Sequence, residues 1–381
     1  MQKFDHIDSL RGVAVLMVVL VHTGQTISNL APDLEFATRY GQLGVQLFFL
    51  VSGFTLCLSM DSRAEKKFAS TKFYIRRFFR IAPLYYVGIA WYFLVRLTQD
   101  SIQAGSPVMP ERFEMSSVLA NLSFIHGFVP GANNSIVPGG WSIGTEMAFY
   151  LIFPLLFLII RKLATKGLQH LFNFFALTLA FSILVQGPAT FLEMDEGPNR
   201  FMYYNLSNQI PVFITGIISF FLFKRGFLDR LPVIFALAGF IALTLLNIYL
   251  WRKNIPFSQT LVPALAGWSF VFLYVIFARF RSLNPALLRH IGQVSFSIYL
   301  VHFVFTRILG SVFNNLQQVG VSPEFILVMH FSLTAAVSYV IAIWTEKYIE
   351  RPGIDYGRKL INWLDRASGA KQTSAVAFKT Q

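Results

Sequence analysis

The sequence predicts an all-α integral membrane protein of about ten transmembrane helices, with the N-terminus and the C-terminus both cytoplasmic. Three observations carry that prediction. Of 381 residues, 55% are hydrophobic and 13% charged, and the mean hydropathy is positive at +0.55, far from the balance of a water-soluble domain. Apolar runs of roughly 17 to 25 residues recur along the chain, each long enough as a helix to cross a hydrocarbon layer about 30 Å thick. Basic residues gather on alternate connections, as the positive-inside rule requires of a polytopic bundle.

Taken in order, spans are expected at residues 12–27, 41–60, 81–98, 141–160, 171–187, 209–223, 231–250, 258–278, 291–313 and 325–344. The opening segment carries Asp5 and Asp8 and has no small-residue cleavage site, so the first span is expected to be retained and not removed as a signal peptide. The second holds Cys57, the one cysteine of the chain, which leaves no intrachain disulfide and no cysteine-built metal site. Trp141 opens the fourth and is expected to anchor it at the outer interface. The sixth is short and contains Pro211, tolerable in lipid only where a neighbour satisfies the carbonyl that proline frees. Residues 1–365 read as a single transmembrane domain without internal repeats. The segment 366–381 has no periodicity and reads as a disordered cytoplasmic tail.

A formal net charge of +13 would suggest a nucleic-acid partner in a soluble protein. Topology explains it here. With a cytoplasmic N-terminus, 25 of the 32 basic residues fall on inner segments, seven of them between Arg63 and Arg80. Arg39, Arg96, Arg112, Arg200, Arg252 and Lys253 fall outside, and Arg307 lies within a span. The longest outer connection, 99–140, is rich in Gly, Pro and Asn, and a loop of that length points to a lid or a binding wall.

Ionisable groups inside spans are costly and usually face a cavity. Arg11 sits at the inner mouth of the first span, and His22 follows eleven residues later, close to three turns and about 16 Å further along the same face. Glu146 lies five residues past Trp141, which places it at a similar depth and predicts a base and its orienter. His302, eleven residues into the ninth span, reaches nearly the same level; an interhelical hydrogen-bonding role is its plainer explanation. Arg77 and Arg80 are three apart, hence neighbours on a helix, and a guanidinium pair suits phosphate. Ordinary inner-face charge and lipid headgroups account for such a pair equally well. His126, His170, His290 and His330 have no partner spacing and are assigned no chemistry. No metal motif, G-x-S-x-G elbow or glycine-rich phosphate loop is present.

Six motifs then stand in one order. They are Ile7-Asp8-Ser9-Leu10-Arg11-Gly12 with His22 at Arg-x10-His spacing, Gly44 to Phe54 including Ser52 and Gly53, and the Arg77 to Pro83 segment. Trp141-Ser142-Ile143-Gly144-Thr145-Glu146 with Tyr150, Ser297-Ile298-Tyr299-Leu300-Val301-His302 and Glu350-Arg351-Pro352 complete the set. Together they resemble acyltransferase family three, the membrane O-acyltransferases that acylate surface polysaccharides, peptidoglycan, lipid-linked sugars and some antibiotics. The resemblance runs from Ile7 to Pro352. It implies a ten-helix core in a bacterial inner membrane and a cytoplasmic acyl-CoA donor, acetyl-CoA above all, with a glycan or lipid-linked sugar as acceptor. It implies Arg11 and His22 as the pair on which activity most depends, Arg77 and Arg80 as contacts for the donor's phosphates and Glu146 in the reaction cavity; Glu146 is counted with the catalytic residues and Ser52 with the donor contacts. Trp141, Tyr150, Tyr299 and His302 would line the reaction cavity. Because the chain ends soon after the tenth span, it resembles the members without an appended esterase-like domain. The expected mechanism has His22, oriented by Glu146, take the proton of an acceptor hydroxyl while Arg11 holds or polarises the donor, with an acyl-histidine intermediate as a variant. A proton-coupled transporter or lipid-sugar flippase is the alternative from another class. It requires paired broken helices in two inverted halves, of which the sequence shows no sign.

Overall fold

A computed structural model describes residues 4–62, 69–191 and 200–377. The expected basic residues Arg63, Lys66 and Lys67 and the tail end 378–381 lie outside them. Among the described residues there is no strand, and ten helices are long and apolar enough to cross a membrane. In chain order they are α1 (Asp5–Gly24), α2 (Gly44–Asp61), α3 (Ala69–Ala104), α4 (Gly140–Lys166), α5 (Leu168–Phe191), α6 (Leu206–Lys224), α7 (Val233–Arg252), α8 (Ser258–Arg279), α9 (Ser295–Gln318) and α10 (Pro323–Thr345). A last helix, α11 (Arg351–Ala377), follows α10 through a π-helical turn at Glu346–Glu350.

The bundle is built around α1, which packs against α2, α8, α9 and α10. Behind α2 the core is aromatic. Phe213 of α6 is stacked between Phe149 of α4 at 3.9 Å and Phe49 of α2 at 4.4 Å between ring centroids, so three helices share one interlocked column. At the periphery α7 leaves Ile234, Phe235, Ile241 and Leu245 exposed. An apolar face of that extent would aggregate in water and is stable only against lipid.

The short sixth span is sound for the reason the proline demanded. Asn205 caps α6 by accepting from the Ser207 amide at 2.9 Å. Pro211 has no amide to offer the Ser207 carbonyl, and Ser182 of α5 donates its hydroxyl to that oxygen at 2.6 Å instead.

Several boundaries differ from expectation: α1 begins at Asp5, seven residues before the expected start, α3 and α4 each end six residues beyond theirs, and three further differences have a structural cause. The ninth span begins at Ser295, and Ile291 belongs to a separate short helix, Ala286–Gln293, with the break at Val294. That helix lies so close to α1 that a Cβ at Gly292 would fall 1.7 Å from the Asp8 carbonyl oxygen. Gln293 donates to Asp8 at 3.0 Å and Arg289 pairs with Asp5, so the segment is strapped to the start of α1 and the chain must turn before climbing again. The third helix begins at Ala69, twelve residues before Ile81, because the arginine-rich segment is helical throughout. At the C-terminus α11 is helical past Asp365, where an irregular tail was expected. Asp365 pairs with Lys72 of α3, and the Ala, Lys and Gln residues that follow favour a helix once it has started.

Candidate active site

Arg11 and His22 share α1 but open onto different cavities. Arg11, Ser52, Arg80, Glu146, Tyr150 and Tyr299 line a first cavity of about 70 Å³. His22 lines a second of about 720 Å³ with Gln25, Arg96, Arg112, Asn134, Phe303 and Arg307. The two are stacked along the bundle. As each helix climbs, α1 passes from Arg11 to His22, α3 from Ile81 to Trp91 and α9 from Tyr299 to Phe303. On α1 the rise between them is about 16 Å.

A thin partition separates the cavities. Tyr299 and the Ser142 hydroxyl lie 2.7 Å apart, and the Tyr299 hydroxyl is 2.9 Å from the Gly139 carbonyl oxygen. Phe303, one turn along α9, covers Gly139, where a Cβ would meet its ring at 2.7 Å. Gly139 has φ +71°, so both its conformation and its surroundings exclude a side chain.

In the first cavity Glu146 accepts from Ser52 at 2.7 Å and from the Tyr150 hydroxyl, both onto the same carboxylate oxygen. Arg11 and Arg80 face it from α1 and α3, which gives a small, partly dry site two guanidiniums and one anchored carboxylate. Such a site holds and polarises an anionic or carbonyl-bearing ligand. Arg77 stands behind this wall, its guanidinium 5.7 Å from the Tyr150 ring and 5.8 Å from that of Phe73. Of the arginine pair, Arg80 reaches the cavity and Arg77 supports Tyr150. Nearby, Ser297 donates to the buried carboxylate of Glu350, which the π-helical turn swings inward.

In the second cavity His22 Nδ1 lies 3.1 Å from Gln25 Oε1. With the proton on Nδ1, Gln25 accepts it and Nε2 keeps its lone pair, the arrangement of a general base. His302 is fully buried behind His22, ring centroids 5.4 Å apart, with Nδ1 3.2 Å from the Ile298 carbonyl oxygen. It lines neither cavity.

The expected pairing of His22 with Glu146 is therefore not made: Gln25 is the partner of His22, and Ser52 and Tyr150 are those of Glu146. The cause is the long connection 99–140. Asn133, Ile136 and Val137 are buried, so α4 starts inside the bundle and Glu146 lies deeper than a helix starting at the interface would put it. Trp141 is corrected with it. It is 8% exposed and stacked on Tyr204 at 4.4 Å, packed inside the bundle, and it lines neither of the two cavities. The connection after α3 contributes a wall as expected, with Arg112, Asn134 and Pro138 on the second cavity.

Other residues gain a place the sequence reading did not give them. His126 is buried with Nε2 2.9 Å from the Gly140 carbonyl oxygen and 3.3 Å from the Tyr85 hydroxyl, which donates to Asn121 at 2.7 Å. This network pins the first turn of α4 and with it Ser142 and Glu146. Gln25 was detectable as an amide three residues from His22, one turn on. Arg96 and Arg112 had been absorbed into the topological charge count, and nothing in their spacing set them or Arg307 apart.

The acyltransferase domain family matches residues 4–346. The chain is similar to O-acetyltransferase OatA of Staphylococcus aureus strain NCTC 8325 / PS 47, 25% identical over 392 residues, covering 95% of this chain and 59% of that protein. It is similar to acyltransferase MdmB of Streptomyces mycarofaciens, 27% identical over 324 residues, covering 80% of this chain and 79% of the relative. A putative O-acetyltransferase, SACOL0978 of Staphylococcus aureus strain COL, is 25% identical over 395 residues, with 95% and 59% covered. The chain thus spans 59% of the length of OatA and of SACOL0978. No solved structure matches it.

Proposed function

Because the chain belongs to the acyltransferase domain family, we propose that it is a membrane-embedded O-acyltransferase that moves an acyl group from acyl-CoA to a sugar hydroxyl. The observation that carries the proposal is the pair of stacked cavities, an arginine–carboxylate site below and an imidazole above, divided only by the Tyr299 partition. The charge asymmetry of the connections supports a first cavity on the cytoplasmic side, where acyl-CoA is found, and the bacterial sources of the relatives favour a bacterial plasma membrane. The names of OatA and SACOL0978 favour acetyl as the acyl group.

In this reading Arg80 holds the donor, with Arg77 keeping Tyr150 and Glu146 in place behind it. Arg11 holds the donor beside Arg80 in the first cavity. His22, aligned by Gln25, takes the proton of the acceptor hydroxyl at Nε2 as its oxygen attacks the thioester carbon. The carbon–oxygen ester bond forms, the carbon–sulfur bond breaks, and the proton passes from His22 to the departing thiolate, which leaves as coenzyme A. For the thioester to approach His22, Tyr299 must release Ser142.

His22→Ala and Arg11→Ala are expected to abolish acylation, a fall of about 100-fold or more if the base contributes the usual amount, while the protein stays at its normal level in the membrane. Mass spectrometry of surface glycans from cells carrying each variant reads the acyl group directly. Acylation at the wild-type level in either variant would remove the mechanism.

A further inference from the structure

The second cavity is lopsided in charge. Its wall carries Arg96 from α3, Arg112 from the long connection and Arg307 from α9, and it holds no Asp or Glu. Asp100 lies one turn beyond Arg96 and Glu111 stands beside Arg112, yet among the described residues no carboxylate comes within ion-pairing distance of the three arginines. Of the other basic residues that fall on the outer side in the charge count, Arg39 and Arg252 are paired with Glu35 and Asp33, while among the described residues Arg200 and Lys253, like Arg96 and Arg112, have no such pair, so it is the convergence on one cavity that sets the three arginines apart. Arginine inside or beside a membrane is expensive unless an anion meets it. Three guanidiniums from three segments, converging on a cavity of about 720 Å³ that also holds His22, fit an anion brought in by a ligand.

We propose that this cavity is an anion subsite for the acceptor, and that the acceptor is a sugar carrying a phosphate or pyrophosphate ester, held by Arg96, Arg112 and Arg307 so that its hydroxyl meets His22. The proposal rests on the acyltransferase reading for the word acceptor; the anion site itself stands on the geometry alone. A phosphate ester offers several oxygens to planar, fork-shaped donors, which a neutral glycan does not. A sugar joined to a lipid carrier through phosphate has its charge at the membrane surface and its hydroxyls within reach of a cavity that opens between helices.

The test uses the full-length protein in phosphatidylcholine nanodiscs with saturating coenzyme A, so that the donor's own phosphate contacts are filled. Two probes are titrated by calorimetry: a short-chain prenyl pyrophosphoryl N-acetylglucosamine and octyl N-acetylglucosaminide, the same sugar on a neutral chain. The charged probe is expected to bind roughly tenfold more tightly or better, the scale of one or two charge-assisted hydrogen bonds. The double variant Arg96→Gln, Arg307→Gln is expected to lose that advantage and leave the neutral probe unaffected. Arg96→Lys with Arg307→Lys, which keeps charge and bulk, is expected to retain most of it, separating loss of the site from loss of the fold. Equal binding of the two probes by the wild-type protein would overturn the proposal. So would displacement of the charged probe by dioctanoyl phosphatidylglycerol at equal concentration, which would make the arginines a lipid headgroup site. Tight, arginine-dependent binding, with no acyl transfer to the probe when acetyl-CoA replaces coenzyme A, would uphold the anion site and count against the enzymatic reading instead.

Discussion

Gln25 is three residues from His22, and its carbonyl oxygen is the hydrogen-bond partner that fixes which imidazole nitrogen is free to act as base. Gln25→Ala is therefore expected to lower kcat by about tenfold with little change in the KM for acyl-CoA, since a positioning residue acts on the chemical step and not on donor binding. Gln25→Glu, which keeps an acceptor in place, is expected to restore most of the rate, and recovery of that kind would not follow from a purely structural role. The two arginines of α3 separate at the same scale. Arg80→Ala is expected to raise the KM for acyl-CoA by about tenfold, the value of a lost charge-assisted contact. Arg77→Ala, which removes only the support behind Tyr150, is expected to reduce kcat more than it changes that KM. Steady-state kinetics at varied acyl-CoA distinguishes the two, and a larger donor KM effect from Arg77 would reverse their assignment. Arg11, Ser52, Arg80, Glu146, Tyr150 and Tyr299 all stand in the six motifs, but the sequence spread them over catalytic, donor-binding and cavity-lining roles, and only the packing of α1, α2, α3, α4 and α9 brings them onto one cavity. The link from His22 to Glu146 was not legible, because helical rise gives depth along one helix and says nothing about where another helix starts.

At the scale of the element, the accuracy of each boundary followed from what sets it. Spans two, five, six, seven, eight and ten were readable from length and hydropathy, since lipid imposes both. The start of α9 was not, because the break at Val294 comes from tertiary contact: the Ala286–Gln293 helix is held against α1 by Gly292 and by the pairs Arg289 with Asp5 and Gln293 with Asp8. Gly292→Leu is expected to destabilise the protein by about 1–3 kcal/mol or more, the range for forcing volume into a closed contact. It would read as a lower melting temperature in detergent together with lost activity, because the strap positions the turn of α1 that carries Arg11. An unchanged melting temperature would show that the two helices stand further apart. The connection 99–140 shows the opposite limit. Its length announced a wall or lid, but not that Asn133, Ile136 and Val137 would be drawn into the bundle, since isolated polar and apolar residues in a loop carry no period to read.

For the whole molecule, composition and the spacing of apolar runs were enough for the all-helical bundle. The relation between the cavities was not, since it depends on three helices climbing side by side. In the proposed function, a basic residue and an imidazole three turns apart on one helix serve one reaction without touching: Arg11 lines the cavity assigned to the donor, His22 the cavity assigned to the acceptor, and the Tyr299–Ser142 contact lies between them. Charge that reads as topology in a count can likewise serve chemistry in space, as with Arg96 and Arg112. The most direct test of this account is transfer across the bilayer. Uniformly oriented proteoliposomes would receive radiolabelled acetyl-CoA only on the side of the first cavity and a soluble sugar acceptor only on the other. The account predicts labelled acceptor on the far side, lost in His22→Ala. Label that appears only when donor and acceptor share a compartment, or that survives the loss of His22, would contradict it.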